Sequence, residues 1–189
     1  MTDQPEASHD PGGKIRLRLQ DGVAGNASFS KCGRYRYWLS RDWGQHFGGP
    51  FALWIGMNPS TAAADVDDPT IRREIEFTKR LGLGCYVKMN VMDYRATNPK
   101  GLHGVGVEPC SFENEATIYE FARRAKLVIA AWGKLPISLI GFADAAQRAV
   151  AGAEKELLCL GFNKDGSPKH PLYIKSDTPF VKYPRQPRP

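Results

Sequence analysis

Cysteine is sparse and scattered in this chain. Four occur in 189 residues, Cys32, Cys85, Cys110 and Cys159, and no two form a Cys-x-x-Cys pair. That spacing argues against a zinc or iron–sulfur site and leaves reduced structural thiols as the expectation, with Cys85 and Cys159 in apolar, strand-like runs. Long hydrophobic runs are missing as well, and no stretch approaches the length that spans a bilayer. The N-terminus, Met1-Thr2-Asp3-Gln4-Pro5, is polar and acidic rather than a secretory signal, so the expected location is the cytoplasm. There is no Gly-x-x-x-x-Gly-Lys-Ser/Thr phosphate loop and no dinucleotide fingerprint; Gly82-Leu83-Gly84 falls at a helix end, the wrong context for one. Asp65, Asp67 and Asp68 cluster without a bidentate ligand pattern, and they read as one helix cap and two solvated loop acids. The expectation is therefore no metal, no cofactor and no membrane association.

What is present is an ordinary globular composition with a basic excess. The hydrophobic fraction is 42%, enough for one domain with a sizeable core. The net charge is +6, and the acidic residues 1–12 and the basic residues 175–189 cancel, so the excess sits on the body. A basic body attracts phosphate and permits a nucleotide or nucleic-acid partner without demanding one.

Residues 1–12 read as a disordered tail, 13–178 as a single α/β domain, and 179–189 as an extended Pro- and Arg-rich tail. Residues 27–39 alternate around Gly33, with Phe29, Tyr35, Tyr37 and Leu39 on one face, which predicts an antiparallel hairpin. Strand and helix then alternate. Residues 51–55, 84–91, 127–132 and 157–160 are short apolar runs. Asp68-Pro69 starts the first intervening helix with a cap and a proline at the first helical position. Ser111 is placed as the cap of the second, and Leu139, Phe142, Ala143, Ala146 and Val150 keep helical spacing in the third. The pattern predicts a three-layer α/β sandwich around a four-stranded parallel sheet, with the hairpin N-terminal to it.

In such a sheet, ligands bind at the carboxyl ends of the strands. Asn58 lies there, in Gly56-Met57-Asn58-Pro59 after the first strand, either as a turn residue or as a carboxamide that holds a water or a substrate edge. Asn90 ends the second strand in Val87-Lys88-Met89-Asn90. Asp93 and Arg95 follow, as an ion pair bracing the 93–99 loop or, for Arg95, as a phosphate ligand. Of the four histidines, only His170 in Lys169-His170-Pro171-Leu172-Tyr173 follows a core strand, which makes it the candidate catalyst. Ser60 and Thr61 read as turn or cap residues, with no nucleophile elbow around them.

Taken in order, these strand ends resemble the uracil-DNA glycosylase superfamily. Gly56-Met57-Asn58-Pro59 is similar to its first motif, Val87-Lys88-Met89-Asn90 to the strand ending in the base-reading asparagine, Ile129-Ala130-Ala131-Trp132-Gly133 to the strand ending in Trp-Gly, and His170-Pro171-Leu172 to the start of its His-Pro loop. The chain as a whole resembles more closely a bacterial and phage family known as domain of unknown function 1643, through the Met-Asn-Pro-Ser-Thr-Ala segment, the Tyr-Arg-Ala-Thr loop and the Lys-His-Pro-Leu-Tyr turn.

The glycosylase resemblance implies a base taken into the cleft and cleavage of its N-glycosidic bond, in DNA or in a nucleotide. His170 would stabilise the charge on the leaving base, Asn58 would hold the attacking water, and Asn90 would read the base edge. Met57, Pro59, Asp93, Arg95 and Leu172 would complete the substrate site. Ser60 stands where the fast enzymes carry a bulky aromatic that excludes thymine, and Leu172-Tyr173 replaces the Ser-Pro-Leu-Ser continuation of the His-Pro loop. Two alternatives stand beside this reading: a non-catalytic nucleic-acid or nucleotide-binding module of the same fold, and a hydrolase of free nucleosides.

Overall fold

The computed structural model describes residues 16–44, 49–104 and 106–184. The expected disordered segment 1–12, His9, His46 and residues 185–189 lie outside them.

The elements run β1 (Leu17–Arg18), β2 (Ala24–Phe29), β3 (Arg36–Asp42), β4 (Phe51–Gly56), β5 (Val66–Asp67), α1 (Pro69–Arg80), β6 (Cys85–Asn90), α2 (Asn114–Arg124), β7 (Leu127–Ala130), α3 (Ile140–Gly152), β8 (Leu157–Cys159) and β9 (Val181–Lys182). A mixed seven-stranded sheet has the order β2-β3-β6-β4-β7-β8-β9, and β1 pairs with β5 in a separate antiparallel ribbon. The four-stranded parallel sheet expected from the sequence is thus corrected to a larger, mixed one. β6, β4, β7 and β8 pair in parallel, while β3 runs antiparallel to β6 and β9 antiparallel to β8. The physical reason lies in the edges: exposed edge strands carry unpaired N–H and C=O groups, which the hairpin and β9 cover.

β4 is buried along its whole length, as a continuous apolar run between two layers must be. Its Leu53 and Ile55 pack with Ile118 and Ala122 of α2 and Ala143 and Val150 of α3. Its Ala52 and Trp54 pack on the other face with Ile71, Ile75 and Phe77 of α1. The Trp54 indole N–H donates to Thr78 Oγ1 at 2.9 Å, which ties α1 to the sheet. The Asp68 carboxylate accepts from Ile71 N at 2.9 Å and caps α1, with Pro69 behind it as the first-turn proline.

Several local expectations are overturned. Ser111 does not cap α2: its N–H and hydroxyl both donate to the Asp93 carboxylate, and α2 begins at Asn114 with no side-chain cap. Asp67 is no solvated loop acid but is buried between Arg41 and Arg72. The segment expected to trail away from Pro179 is packed as far as Tyr183, whose ring meets Trp132 edge-on at 5.5 Å, while Phe180 packs against Trp54. Aromatic burial there outweighs the extended bias of the flanking prolines. Among the described residues, no helix is long and apolar enough to cross a membrane.

Candidate functional site

From β4 the chain crosses to β6 on one side and later returns past β4 to β7 on the other, so the sheet reverses its winding order at the carboxyl end of β4. A crevice opens at such a switch point. Here it is a cavity of about 570 Å³, within the range of small-ligand sites. Asn58 and Met57 reach it from the turn after β4, Lys88 and Asn90 from β6, Thr70 from the first turn of α1, and His170 and Leu172 from the turn after β8. Arg36, at the start of β3, also lines it.

The strand ends are held by the loops behind them. Val91 N–H donates to Gly56 O at 2.9 Å and Met92 N–H to Met57 O at 3.0 Å, which continues the β4–β6 ladder into both turns. The 93–99 loop is stitched to the hairpin and to the β4 turn: Arg36 N–H donates to Asp93 O, Arg95 N–H to Arg34 O and Ala96 N–H to Pro59 O. Asn58 joins the same weave. Its amide nitrogen donates to Ala96 O at 2.7 Å and to Pro59 O at 3.0 Å. Both amide hydrogens are then used, so the group that Asn58 has left for a ligand or water is an acceptor oxygen.

Asn90 is the opposite case. It is 1% exposed, and among the described residues neither its amide nitrogen nor its amide oxygen has a hydrogen-bond partner. An orphaned buried amide is expensive, and this one lines the cavity, where a water or a ligand can supply the missing partners. Lys88, two residues back on the same face, donates to Glu74 Oε1 of α1 at 2.5 Å, and Tyr86 donates its hydroxyl to the other Glu74 oxygen. Burial pushes the Glu74 carboxyl up, while Lys88 and the Tyr86 hydroxyl pull it back. The ammonium keeps further donors beyond the one given to Glu74.

Gly56 makes this packing possible. A Cβ at position 56 would lie 2.5 Å from Lys88 Nζ and 2.9 Å from Asn90 Oδ1. Gly56→Ala is therefore expected to cost about 1–3 kcal/mol, because Lys88 is held by Glu74 and cannot swing away cheaply. A thermal melt of the variant beside wild type checks this, and an unchanged midpoint would show that the floor of the site yields.

His170 precedes a 3-10 turn (Pro171–Tyr173) that packs against α1. Leu172 N–H donates to its Nδ1 at 3.4 Å, an arrangement that favours the tautomer with the ring proton on Nε2. Gly133, with φ +71°, follows β7, and a Cβ there would stand 3.5 Å from the His170 Cβ. The Trp-Gly strand end thus backs the histidine turn.

The structure brings Asn58, Asn90, His170, Met57 and Leu172 to one cavity. It does not bring Pro59, Asp93 or Arg95 there. Pro59 is buried and contributes its carbonyl to the loop weave. Asp93 is buried against Ser111, and burial raises its carboxyl above the ordinary aspartate value despite those two bonds. Arg95 donates to Gly33 O at 2.9 Å and lies over the Phe29 ring, so it serves the hairpin. Sequence reasoning missed Arg36 and Lys88. The available signal was a charged residue in the middle of the apolar run Val87-Lys88-Met89; Arg36, among aromatic hairpin residues, gave none.

The cysteines take no part in the cavity, and burial pushes the Cys85 and Cys110 thiols up to about 11. Among the described residues, no three His, Cys, Asp or Glu side chains gather in a way that could hold a metal ion.

Fold and site together define a mixed α/β protein with a small-ligand cavity at the carboxyl edge of its parallel strands. The chain belongs to the family described as Protein of unknown function (DUF1643), whose model matches residues 36–172. No curated protein and no solved structure matches the chain. The comparisons lend no support to the uracil-DNA glycosylase resemblance, which therefore stands on the motifs alone.

Proposed function

We propose that the cavity receives a nucleobase and that the protein hydrolyses the N-glycosidic bond carrying it. The observation that carries this reading is Asn90: a buried planar amide with donor and acceptor both unmet, lining a cavity that Asn58 and His170 also line. A carboxamide edge presents one donor beside one acceptor, the complement of a nucleobase edge. His170 Nε2–H supplies a hydrogen bond to the base oxygen as negative charge develops there. The Asn58 oxygen accepts from a water and aims it at the sugar carbon. Asn58 cannot deprotonate that water, so the reading implies a slow enzyme whose rate comes from leaving-group stabilisation.

The test is release of free base from a panel of uracil, hypoxanthine, mismatched and hypermodified bases, offered in single-stranded DNA, duplex DNA and mononucleotides. Release is expected for one member of the panel. Asn90→Ala should weaken binding of that substrate by about 1–3 kcal/mol while the fold stays intact, because the variant removes groups that have no partner in the free protein. Binding without release in any context would make the protein a nucleobase-binding module. Neither binding nor release would sink both versions of the reading.

A further inference from the structure

Arg36 is the least expected group in the cavity. It is 2% exposed, and among the described residues its guanidinium makes one hydrogen bond, from Nη1 to Ala62 O at 2.9 Å, while Nε meets no acceptor. Among the described residues no carboxylate lies within ion-pair distance of it; the acid whose charge offsets it most is Asp68, which caps α1 through one oxygen and itself lines the cavity. Burial pulls this guanidinium down to about 10, the mark of a cation held where its charge is poorly compensated. A buried charge without a counterion is strongly unfavourable unless the protein is built to receive one. Lys88 lines the same cavity with donors to spare after its bond to Glu74, and Thr70 adds a hydroxyl from the first turn of α1, where helix N–H groups favour negative charge.

We propose that this cavity takes a phosphorylated ligand, its phosphoryl oxygens on the Arg36 guanidinium and the Lys88 ammonium. Arg36 is a forked donor suited to two phosphoryl oxygens, and Lys88 is a compact second charge. Joined to the nucleobase reading of Asn90, on which this half of the inference rests, the ligand class is a nucleoside monophosphate. The near-complete burial of Arg36 favours a terminal monoester over a diester, since a continuous strand needs an exit on both sides of its phosphate.

Calorimetry on the full chain tests this with nucleosides, their 5′-monophosphates, inorganic phosphate and a short single-stranded oligonucleotide, all at one ionic strength set with chloride. Monophosphates should bind about tenfold or more tightly than their nucleosides, consistent with a charge-assisted bidentate contact. Inorganic phosphate should compete with them. In Arg36→Met the preference for the monophosphate should fall to what Lys88 alone supports, and the variant should melt at or above the wild-type temperature without phosphate, because replacing a poorly compensated buried charge with an apolar side chain is often neutral or stabilising. Should Arg36→Met not fold, the wild-type comparison decides alone.

Equal affinity for nucleoside and monophosphate would overturn the phosphate site and leave the nucleobase reading standing. Phosphate binding without any nucleoside or nucleotide preference would do the reverse. An oligonucleotide that binds more tightly than any monophosphate would assign Arg36 to a backbone diester and overturn the monoester.

Discussion

Asp67→Ala is expected to lower the unfolding free energy by about 3 kcal/mol, the low end of the cost of breaking a buried ion pair. Asp67 receives Arg41 Nε at 2.7 Å and Arg72 Nε at 2.6 Å, and both Asp67 and Arg41 are fully buried. Removing the carboxylate leaves the buried Arg41 charge without its ion-pair partner. Three backbone carbonyls soften the loss, since Arg41 also donates to Ser40 O, Ala63 O and Val66 O. The effect should reach the cavity. Residues 62–67 carry both the Ala62 carbonyl that holds Arg36 and the β5 strand that leads into α1. Urea denaturation measures the change, with a shifted midpoint and an unchanged slope. A variant with a wild-type midpoint would show that the carbonyls alone compensate Arg41.

The second large effect is expected at His170. On the base that the cleavage panel identifies, His170→Ala should lower kcat by about 10²–10³, the usual cost of losing one preorganised donor to a developing anion. KM should change little, because the bond strengthens only as the base departs. Stability should hold. The histidine is half-buried, and the turn keeps its own ties, with Lys169 N–H on Gly161 O at 2.9 Å and Ile174 N–H on Pro171 O at 3.2 Å. His170→Gln retains a donor and should recover part of the rate. An unchanged kcat in the alanine variant would reduce His170 to the residue that starts the 171–173 turn.

Much of the fold was legible because its signals are local. Four apolar runs, the Asp68-Pro69 helix start and the helical spacing of Ala143, Ala146 and Val150 can each be read within a dozen residues. The misreadings share a different cause. Ser111 has the right chemistry for a cap, but Asp93, eighteen residues earlier, takes both of its donors. Arg95 reads as a loop brace or a phosphate ligand, and the hairpin carbonyl of Gly33 and the Phe29 ring claim it. In each case a distant partner competed successfully with the local preference.

The sequence by itself determined which side chains stand at the ends of the buried strands. An apolar run stops where a polar residue, glycine or proline interrupts it, which marks Asn58 and Asn90; His170 is marked as the one histidine in a loop that follows a core strand. Only the tertiary structure decided that these three line one cavity, because strand order rather than chain order sets which strand ends are neighbours. It also decided that Arg36 and Lys88 are buried beside them while Arg95 and Asp93 turn away. Charged residues read as surface in a sequence, since desolvation normally keeps them there. Their burial becomes visible only when the fold shows what surrounds them, and for Arg36 that is a cavity wall with no carboxylate in ion-pair contact among the described residues.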